Sequence, residues 1–216
     1  MGKVIAIDGP AGAGKSTISK LLAERLGFQL LDTGALYRAV GLYLRRKGVS
    51  YDISDAKLEH ELAGASVGFE NGKVMLNGED VSAAIRTVEA GNDASVFSAR
   101  KPVRAFLLQM QRDAGMQNDI VAEGRDMTTV VFPDAWRKFF LDATETGRAE
   151  RRFRQMAEKG TPITMDEALR DIRDRDRRDS GRDIAPLRRA DDAVYLDTTS
   201  IGIEEVIDRI LETLTS

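Results

Sequence analysis

The chain has 216 residues, a net charge of −3, 42% hydrophobic and 31% charged side chains. This is enough apolar material for a folded core, so a largely disordered chain is excluded. The chain has no cysteine and one histidine, His60, which excludes disulfides, a cysteine nucleophile and a metal site of several histidines. No apolar run approaches the roughly 20 residues of a membrane helix, and the N-terminus lacks a secretory pattern, so we expect a cytoplasmic protein with no membrane partner.

Strands and helices alternate in the first part of the chain. Val4–Ile7 predicts a buried strand, and a glycine-rich turn leads from it into a helix over 16–26. Gly27 is typical of a helix C-cap. Residues 28–31 predict a second strand, and residues 33–47 predict a second helix.

Residues from about 55 to 91 have a different pattern. Apolar stretches at 67–69 and 73–76 are each followed by an Asn-Gly pair, Asn71-Gly72 and Asn77-Gly78. Asn-Gly is the strongest short signal for a hairpin turn, so we predict a small antiparallel insert here.

The remaining pattern alternates strands with helices, which predicts an α/β fold with an open, mostly parallel sheet covered on both faces. A helical stretch over 92–117 is expected to break at Pro102. The predicted strands are 119–122, 137–141 and 193–196, and the predicted helices are 145–159, 165–178 and 203–214.

Residues 9–16, Gly-Pro-Ala-Gly-Ala-Gly-Lys-Ser, match the phosphate-binding loop G-x-x-x-x-G-K-[ST]. Glycines let the backbone curl so that several N–H groups converge on phosphate oxygens, and the following helix points its positive end at them. Lys15 supplies a charge for the β and γ oxygens, and Ser16 can ligate Mg²⁺. The predicted ATP-binding set is Gly9, Pro10, Ala11, Gly12, Ala13, Gly14, Lys15, Ser16 and Thr17.

A phosphate loop indicates a nucleotide but not a reaction. The N-K-x-D motif of a regulatory GTPase is absent, and the third predicted strand leads into Glu123-Gly124-Arg125-Asp126 instead of the Asp-Glu pair of a motor ATPase. Three further motifs follow the loop in order: Leu-Asp-Thr-Gly-Ala-Leu-Tyr-Arg at 31–38, Glu-Gly-Arg-Asp-Met through Phe-Pro-Asp-Ala at 123–135, and Arg-Asp-Arg-Arg-Asp-Ser-Gly-Arg through Ala-Pro-Leu at 175–187. Together with the loop, they resemble the bacterial cytidylate kinases over nearly the whole chain.

The resemblance implies a fold and a reaction. The fold is the five-stranded parallel P-loop core of a nucleoside monophosphate kinase, a three-layer α/β/α domain with a small β-hairpin insert and a helical lid. The single domain would comprise a core (about 1–54, 92–145 and 180–216), a monophosphate-binding insert (about 55–91) and a lid (about 146–179). The reaction is Mg²⁺-assisted transfer of the γ-phosphoryl group of ATP to CMP or dCMP, a step of pyrimidine nucleotide metabolism.

The resemblance also implies a role for each matching residue. Arg38, Arg125 and Arg175 would hold the acceptor phosphate and, with Lys15, form the catalytic set. The remaining CMP-binding positions are Ser95, Arg104 and Asp126 for the cytosine, Asp179 and Arg182 for the ribose, and Thr33 near the acceptor. The chain departs from the family pattern at Thr128, where a glycine is usual; a glycine needed for its backbone angle would make Thr128 a disturbance of the base pocket.

Arginine supports this interpretation, because its planar fork binds phosphate bidentately and keeps its charge. Residues 148–189 contain 12 arginines, one lysine and nine acids in a chain that is otherwise acidic. An alternative for any single arginine is a solvated helix face with i,i+4 pairs such as Glu150–Arg154 and Asp171–Arg175.

Two other functions remain open at this point. One is a related P-loop kinase with another acceptor, such as UMP, AMP or shikimate. The other is a nucleic-acid-binding protein that uses the arginine helices, although nine interleaved acids argue against a phosphate-tracking surface. We expect a monomer that acts on small molecules and binds no nucleic acid.

Overall fold

The computed structural model describes residues 2–70 and 72–215. These divide into two compact units, one formed by the residues up to Leu31 and from Gly115 onward, the other by Asp32–Ala114. Within the described residues the elements in chain order are β1 (Val4–Asp8), α1 (Lys15–Leu26), β2 (Gln29–Asp32), α2 (Thr33–Arg46), α3 (Asp55–Leu62), β3 (Val67–Glu70), β4 (Lys73–Leu76), β5 (Glu79–Asp80), α4 (Val88–Phe97), α5 (Lys101–Gln117), β6 (Ile120–Glu123), β7 (Arg137–Asp142), α6 (Glu145–Glu158), α7 (Met165–Ser180), β8 (Val194–Asp197) and α8 (Ile203–Thr215).

The predicted α/β sheet is confirmed: five strands lie in the order β2-β6-β1-β7-β8. The central strand β1 pairs in parallel with β6 and β7, so that Ile5 lies opposite Val121 on one side and Arg137 on the other. All five residues of β1 are buried, as expected for a strand covered on both faces. Its carboxyl end therefore emerges at the middle of the sheet, where the phosphate loop begins.

The core of the first unit packs α1 and α8 against this sheet. Ile5 and Ile7 contact a cluster that includes Leu22 of α1, Phe139 of β7 and Ile207 of α8. These residues are almost completely buried, so the cluster holds the first turn of α1 in a fixed direction relative to β1.

The second unit contains the predicted hairpin insert, a three-stranded antiparallel sheet in the order β3-β4-β5. Asn77 and Gly78 both have positive φ angles, +49° and +82°, as a two-residue type I′ turn requires. The other predicted turn, at Asn71, lies outside the described residues. The sequence analysis does not predict helix α3, although its Leu58 and Leu62 are buried at i,i+4 spacing in the core of this unit.

The predicted helix over 92–117 with a break at Pro102 is wrong in its bounds. Helix α4 begins earlier, at Val88, where the Thr87 hydroxyl accepts a hydrogen bond from the Ala90 N–H. The break falls between α4 and α5, and Pro102 lies in the first turn of α5. Proline is tolerated there because the N–H that it lacks would have no partner within the helix.

Helices α6 and α7 pack against each other over the phosphate loop. Ala149, Ala168 and Ile172 form a small buried cluster with Ala11 of the loop. A capping box at Thr164 and Glu167 starts α7, and the Thr144 hydroxyl caps α6. No helix in the described part of the chain is long and apolar enough to cross a membrane.

Candidate active site

The phosphate loop joins the carboxyl end of β1 to the first turn of α1. Gly9, Gly12 and Gly14 have φ angles of +150°, +79° and +91°. A Cβ atom on Gly9 would lie 1.9 Å from the Leu141 carbonyl oxygen, and one on Gly12 would lie 3.0 Å from the Arg148 carbonyl oxygen. Glycine is therefore required at both positions, by close packing as well as by backbone angle.

Helix α1 begins without a capping side chain, because its N-cap is Gly14. The backbone N–H groups of its first turn are therefore left for a ligand, with the positive end of the helix dipole behind them. Ser16 and Thr17 are exposed in this turn. This arrangement is a site for an anionic phosphate.

Lys15 lies beneath the loop and is 5% exposed. Its Nζ atom donates hydrogen bonds of 2.7 Å to the carbonyl oxygens of Gly9 and Pro10. The ammonium group is thus held by the loop itself, within reach of any phosphate that the loop binds.

The charges around Lys15 oppose one another. Burial, followed by the nearby charge of Arg125, lowers the pKa of Lys15 to about 7, while Glu123, Asp179 and Asp8 act in the opposite direction. Two cations held so close together in a buried place favour a polyanion as their ligand.

A second cluster lies at the end of α7. The Arg125 Nε atom donates a 2.7 Å hydrogen bond to Asp179 Oδ2, and Arg182 Nη2 lies 3.9 Å from Asp179 Oδ1. Burial raises the pKa of the Asp179 carboxyl, but the charges of Arg125 and Arg182 outweigh it and hold this pKa below its usual value. Asp179 is therefore ionised at neutral pH and remains an acceptor of hydrogen bonds.

Arg175 is held by an acid on its own helix. Its Nε atom donates a 3.0 Å hydrogen bond to Asp171 Oδ1, and the other oxygen of Asp171 accepts one of 2.7 Å from Arg152 of α6. The predicted i,i+4 pair Asp171–Arg175 is confirmed, and so is Glu150–Arg154, which is exposed. Asp171 thus ties α6 to α7 and holds Arg175 at the same time.

Sequence reasoning did not single out the arginines that contact the loop backbone. Arg148, which is buried, donates to the carbonyl oxygens of Ala11 and Ala143 and forms a 2.7 Å ion pair with Asp176. Arg151 donates a 3.4 Å hydrogen bond to the carbonyl oxygen of Gly12 and also donates to the hydroxyl and the carbonyl oxygen of Thr198. Both lie within the arginine-rich stretch, but no motif distinguishes them from their neighbours.

The second unit carries the other predicted acceptor residues. Arg38 Nη2 lies 3.2 Å from Asp32 Oδ2, and the other oxygen of Asp32 caps α2 at the Ala35 N–H. The Arg104 guanidinium stands 5.5 Å from the Tyr37 ring centroid and donates to the Ser98 carbonyl oxygen.

The predicted site residues thus fall into two sets. Thr33, also in the second unit, is 2% exposed, and Ser95 is half-buried in α4. Thr33, Arg38, Ser95 and Arg104 belong to the second unit, whereas Lys15, Arg125, Asp126, Arg175, Asp179 and Arg182 belong to the first.

Thr128 does not strain the backbone. Among the described non-glycine residues, only Asn77 and Ala185 have positive φ angles, so a glycine is not required at position 128 by its conformation. Its side chain is buried and bonded to Asp8.

The sheet order and the loop define an α/β P-loop kinase. A solved protein from Eubacterium ventriosum aligns with a TM-score of 0.54 at 14% identity, and a shikimate kinase from Bacteroides thetaiotaomicron aligns with a TM-score of 0.50 at 14% identity. Each alignment covers 99% of both chains, and at this identity it shows the fold alone.

Sequence relatives narrow this class. The cytidylate kinase family model matches residues 5–216. Cytidylate kinases from Thermodesulfovibrio yellowstonii and Thermotoga maritima are 52% and 48% identical to this chain, and each match covers 98% of the chain and at least 96% of the relative. The chain belongs to the cytidylate kinase family.

Replacing Lys15 by methionine should stabilise the ligand-free protein. The substitution removes a buried cation next to Arg125 and keeps a side chain of similar length, so we expect the thermal midpoint to rise by roughly 2–4 °C, the shift that about 1 kcal/mol produces in a chain of this size. Differential scanning calorimetry without nucleotide measures it.

Lys20→Met is the matched control, because Lys20 is exposed on the same helix and its ion pair with Glu24 is 3.9 Å long. It should leave the midpoint nearly unchanged. A lower midpoint for Lys15→Met than for Lys20→Met would mean that Lys15 contributes net stability.

Proposed function

We propose that this chain transfers the γ-phosphoryl group of ATP to CMP or dCMP, giving ADP and CDP or dCDP. The observation that carries the proposal is the pairing of a phosphate loop around Lys15 with the partly buried Arg125–Asp179 cluster, in a chain whose family match spans residues 5–216. The first feature suits the triphosphate donor, and the second suits a ribonucleotide acceptor.

The donor binds along the phosphate loop. The N–H groups at the start of α1 hold the β and γ phosphates, and Lys15 exchanges its bonds to the loop carbonyls for bonds to phosphate oxygens. The donor's negative charge favours the protonated form of Lys15, which burial disfavours in the ligand-free protein. The exposed Ser16 hydroxyl fits a Mg²⁺ ion that takes its other ligands from phosphate and water; the ion would neutralise charge on the transferred group.

The residues that bind the acceptor are assigned by their positions in the motifs, and the positive charge of the arginines supports the assignment. Arg125 and Arg175, with Arg38, hold its phosphate, and each has an acid within hydrogen-bond distance that keeps it oriented before the substrate arrives. Arg182 and the ionised Asp179 bind the ribose hydroxyls. Ser95, Arg104 and Asp126 bind the cytosine, and Thr33 lies near the acceptor.

Phosphoryl transfer of this kind needs charge neutralisation and in-line placement of the attacking oxygen, with little covalent chemistry from the protein. Lys15 and the arginines supply the positive charge where negative charge develops in the transition state. The acceptor's phosphate oxygen attacks the γ-phosphorus, and ADP leaves.

We also propose that α6 and α7 act as the lid of the single domain, with the core, insert and lid divided as the sequence predicts. Thr146 and Gly147 lie in the first turn of α6. The next residue, Arg148, is hydrogen-bonded to the phosphate loop, which anchors the start of this helix. Gly160-Thr161-Pro162 links the two helices, and the proposed hinges are this link and Thr146-Gly147. We further propose that the enzyme is a monomer of the cytoplasm, where both nucleotides are found.

An acceptor screen tests the function. With ATP and Mg²⁺, ADP release is followed in the presence of CMP, dCMP, UMP, AMP or shikimate. We expect CMP and dCMP to give the fastest turnover, and Lys15→Ala to abolish it in a folded protein. Good turnover of shikimate or AMP with none of CMP would reject the cytidylate assignment and leave the P-loop kinase assignment intact.

Asp179→Ala should impair the acceptor more than the donor. The variant removes the ribose acceptor and frees Arg125, so we expect KM for CMP to rise at least tenfold while KM for ATP stays within about twofold. Steady-state kinetics with each substrate varied in turn measures both constants.

Asp174→Ala serves as the control for this variant, because Asp174 is exposed on the same helix. Among the described residues, its only ion pair is the one with nearby Arg177, at 3.6 Å. It should leave both constants unchanged. An equal rise of both KM values in Asp179→Ala would point to a general loss of structure.

Closure of the lid should be visible by hydrogen exchange. A bisubstrate analogue joining adenosine and cytidine should slow exchange across residues 149–173, because the lid arginines then gain phosphate partners. Exchange in the last helix, α8, provides the internal reference. Unchanged exchange across 149–173 would contradict the lid assignment without affecting the kinase assignment.

A further inference from the structure

One buried carboxylate lies between the phosphate loop and the acceptor motif. Asp8, the last residue of β1, has no exposed surface. Its Oδ1 atom accepts a 2.9 Å hydrogen bond from the Met127 N–H, and its Oδ2 atom accepts bonds of 2.7 Å and 2.6 Å from the N–H and the hydroxyl of Thr128. Three donors from two consecutive residues thus converge on a single side chain.

The hydrogen bonds to Asp8 join two functional segments of the chain. Asp8 is followed immediately by Gly9, the first residue of the phosphate loop, and Met127 follows Arg125-Asp126. The Gly124 N–H still bonds to the Ile7 carbonyl oxygen, as in the sheet, and the next bonds from this segment to the end of β1 are those to Asp8. Asp8 therefore connects the loop to the segment that carries Arg125 and Asp126.

The segment needs such a connection, because its backbone is irregular. Residues 127–131 form one π-helical turn. This geometry is rare in proteins overall, and where it occurs it is frequently found at a functional site. The two N–H groups at its start have no partner within that turn, and Asp8 accepts both. Asp8 thus caps the turn from a neighbouring strand and fixes where it begins.

The charges that act on Asp8 are those of Lys15 in α1 and of Arg125 and Asp126 in the segment. Glu123 of β6 and Asp179 of α7 act in turn on Lys15 and Arg125. Burial raises the pKa of Asp8 to about 6, and Asp126 adds to this, whereas the bonds from Thr128 and Met127 lower it. The hydroxyl of Thr128 is the largest of these stabilising bonds, so its loss would leave Asp8 more readily protonated.

We propose that Thr128 is a positioning residue of this enzyme, whose hydroxyl holds the Asp8 carboxylate so that Arg125 and Asp126 stay in place beside the phosphate loop. This inference rests on the proposed function, in which Arg125 and Asp126 bind the acceptor. A protonated Asp8 would accept fewer hydrogen bonds, and the segment would lose its connection to β1 while the loop kept Lys15 and its own glycines.

The neighbouring residue supplies a matched control. The Thr129 hydroxyl is buried and makes no hydrogen bond to any described residue. Thr128 and Thr129 are thus adjacent threonines in one turn, one bonded to Asp8 and one not. Thr128→Val and Thr129→Val each replace a hydroxyl by a methyl group on the same branch of the side chain, so their difference reports on the bond to Asp8.

The experiment compares Thr128→Val, Thr128→Ser and Thr129→Val with the parent chain by steady-state kinetics from pH 5 to 8. In Thr128→Val, kcat/KM for CMP should fall roughly tenfold, mainly through KM for CMP, while KM for ATP stays within about twofold. The acidic limb of the kcat/KM profile should move up by about one pH unit, because an acid with a raised pKa loses its ionised form at higher pH. Thr128→Ser, which keeps the hydroxyl, should restore both, and Thr129→Val should resemble the parent.

Three results would overturn the proposal. The first is a Thr128→Val variant with the parent's kinetics and acidic limb, and the second is a Thr128→Ser variant as impaired as Thr128→Val. The third is an equal rise of both KM values in Thr128→Val together with a lower melting temperature, since this would show a purely structural contact. If Thr128→Val does not fold, Thr128→Ala removes the same hydroxyl with less volume and replaces it in the comparison.

The acceptor used is whichever one the parent chain turns over fastest in the screen. A parent that prefers an acceptor other than CMP or dCMP would reject the proposed function, yet the contrast between Thr128→Val and Thr129→Val with that acceptor would still decide the role of Thr128.

Discussion

A buried positive charge at the phosphate loop is the constraint on which the rest of the site depends. Lys15 must stay close to the place where phosphates bind, and the tight loop encloses it, so its charge is removed from water. Such a charge is costly unless acids lie near it, and Asp8, Glu123 and Asp179 do. The ends of β1 and β6 and the end of α7 are therefore tied electrostatically to one lysine.

The acids around Lys15 also organise other parts of the site. Asp179 holds Arg125 and Arg182, and Asp8 holds the segment that begins at Met127. Each acid thus offsets positive charge near Lys15 and orients a group that we propose for binding the acceptor. A substitution at either acid consequently affects charge and geometry together.

Helices α6 and α7, which we propose as the lid, are built on the same loop. Ala11 packs into their small core, and Arg148 donates to its carbonyl oxygen. The loop conformation, the base of α6 and the ion pair of Arg148 with Asp176 therefore depend on one another. This coupling gives a physical route by which nucleotide bound in the loop alters the helices above it.

Local patterns were sufficient for much of this protein. The phosphate loop, the five strands, the Asn77-Gly78 turn and the cap at Gly27 follow from residue types and their spacing, because each depends on backbone angles and nearby hydrogen bonds. The errors arose where local signals are ambiguous: Pro102 suits the start of a helix as well as its end, and α3 is short, with only two buried leucines.

The sequence by itself determined the class of fold, the donor loop and, through the collinear motifs, the family. Only the tertiary structure decided which charges share the site, since Asp8 and Thr128 lie 120 positions apart along the chain, and Arg148 and Ala11 lie 137 apart. Contacts of that kind are created when distant segments pack around β1, and the burial that shifts the pKa values of Lys15 and Asp8 is produced by the same packing.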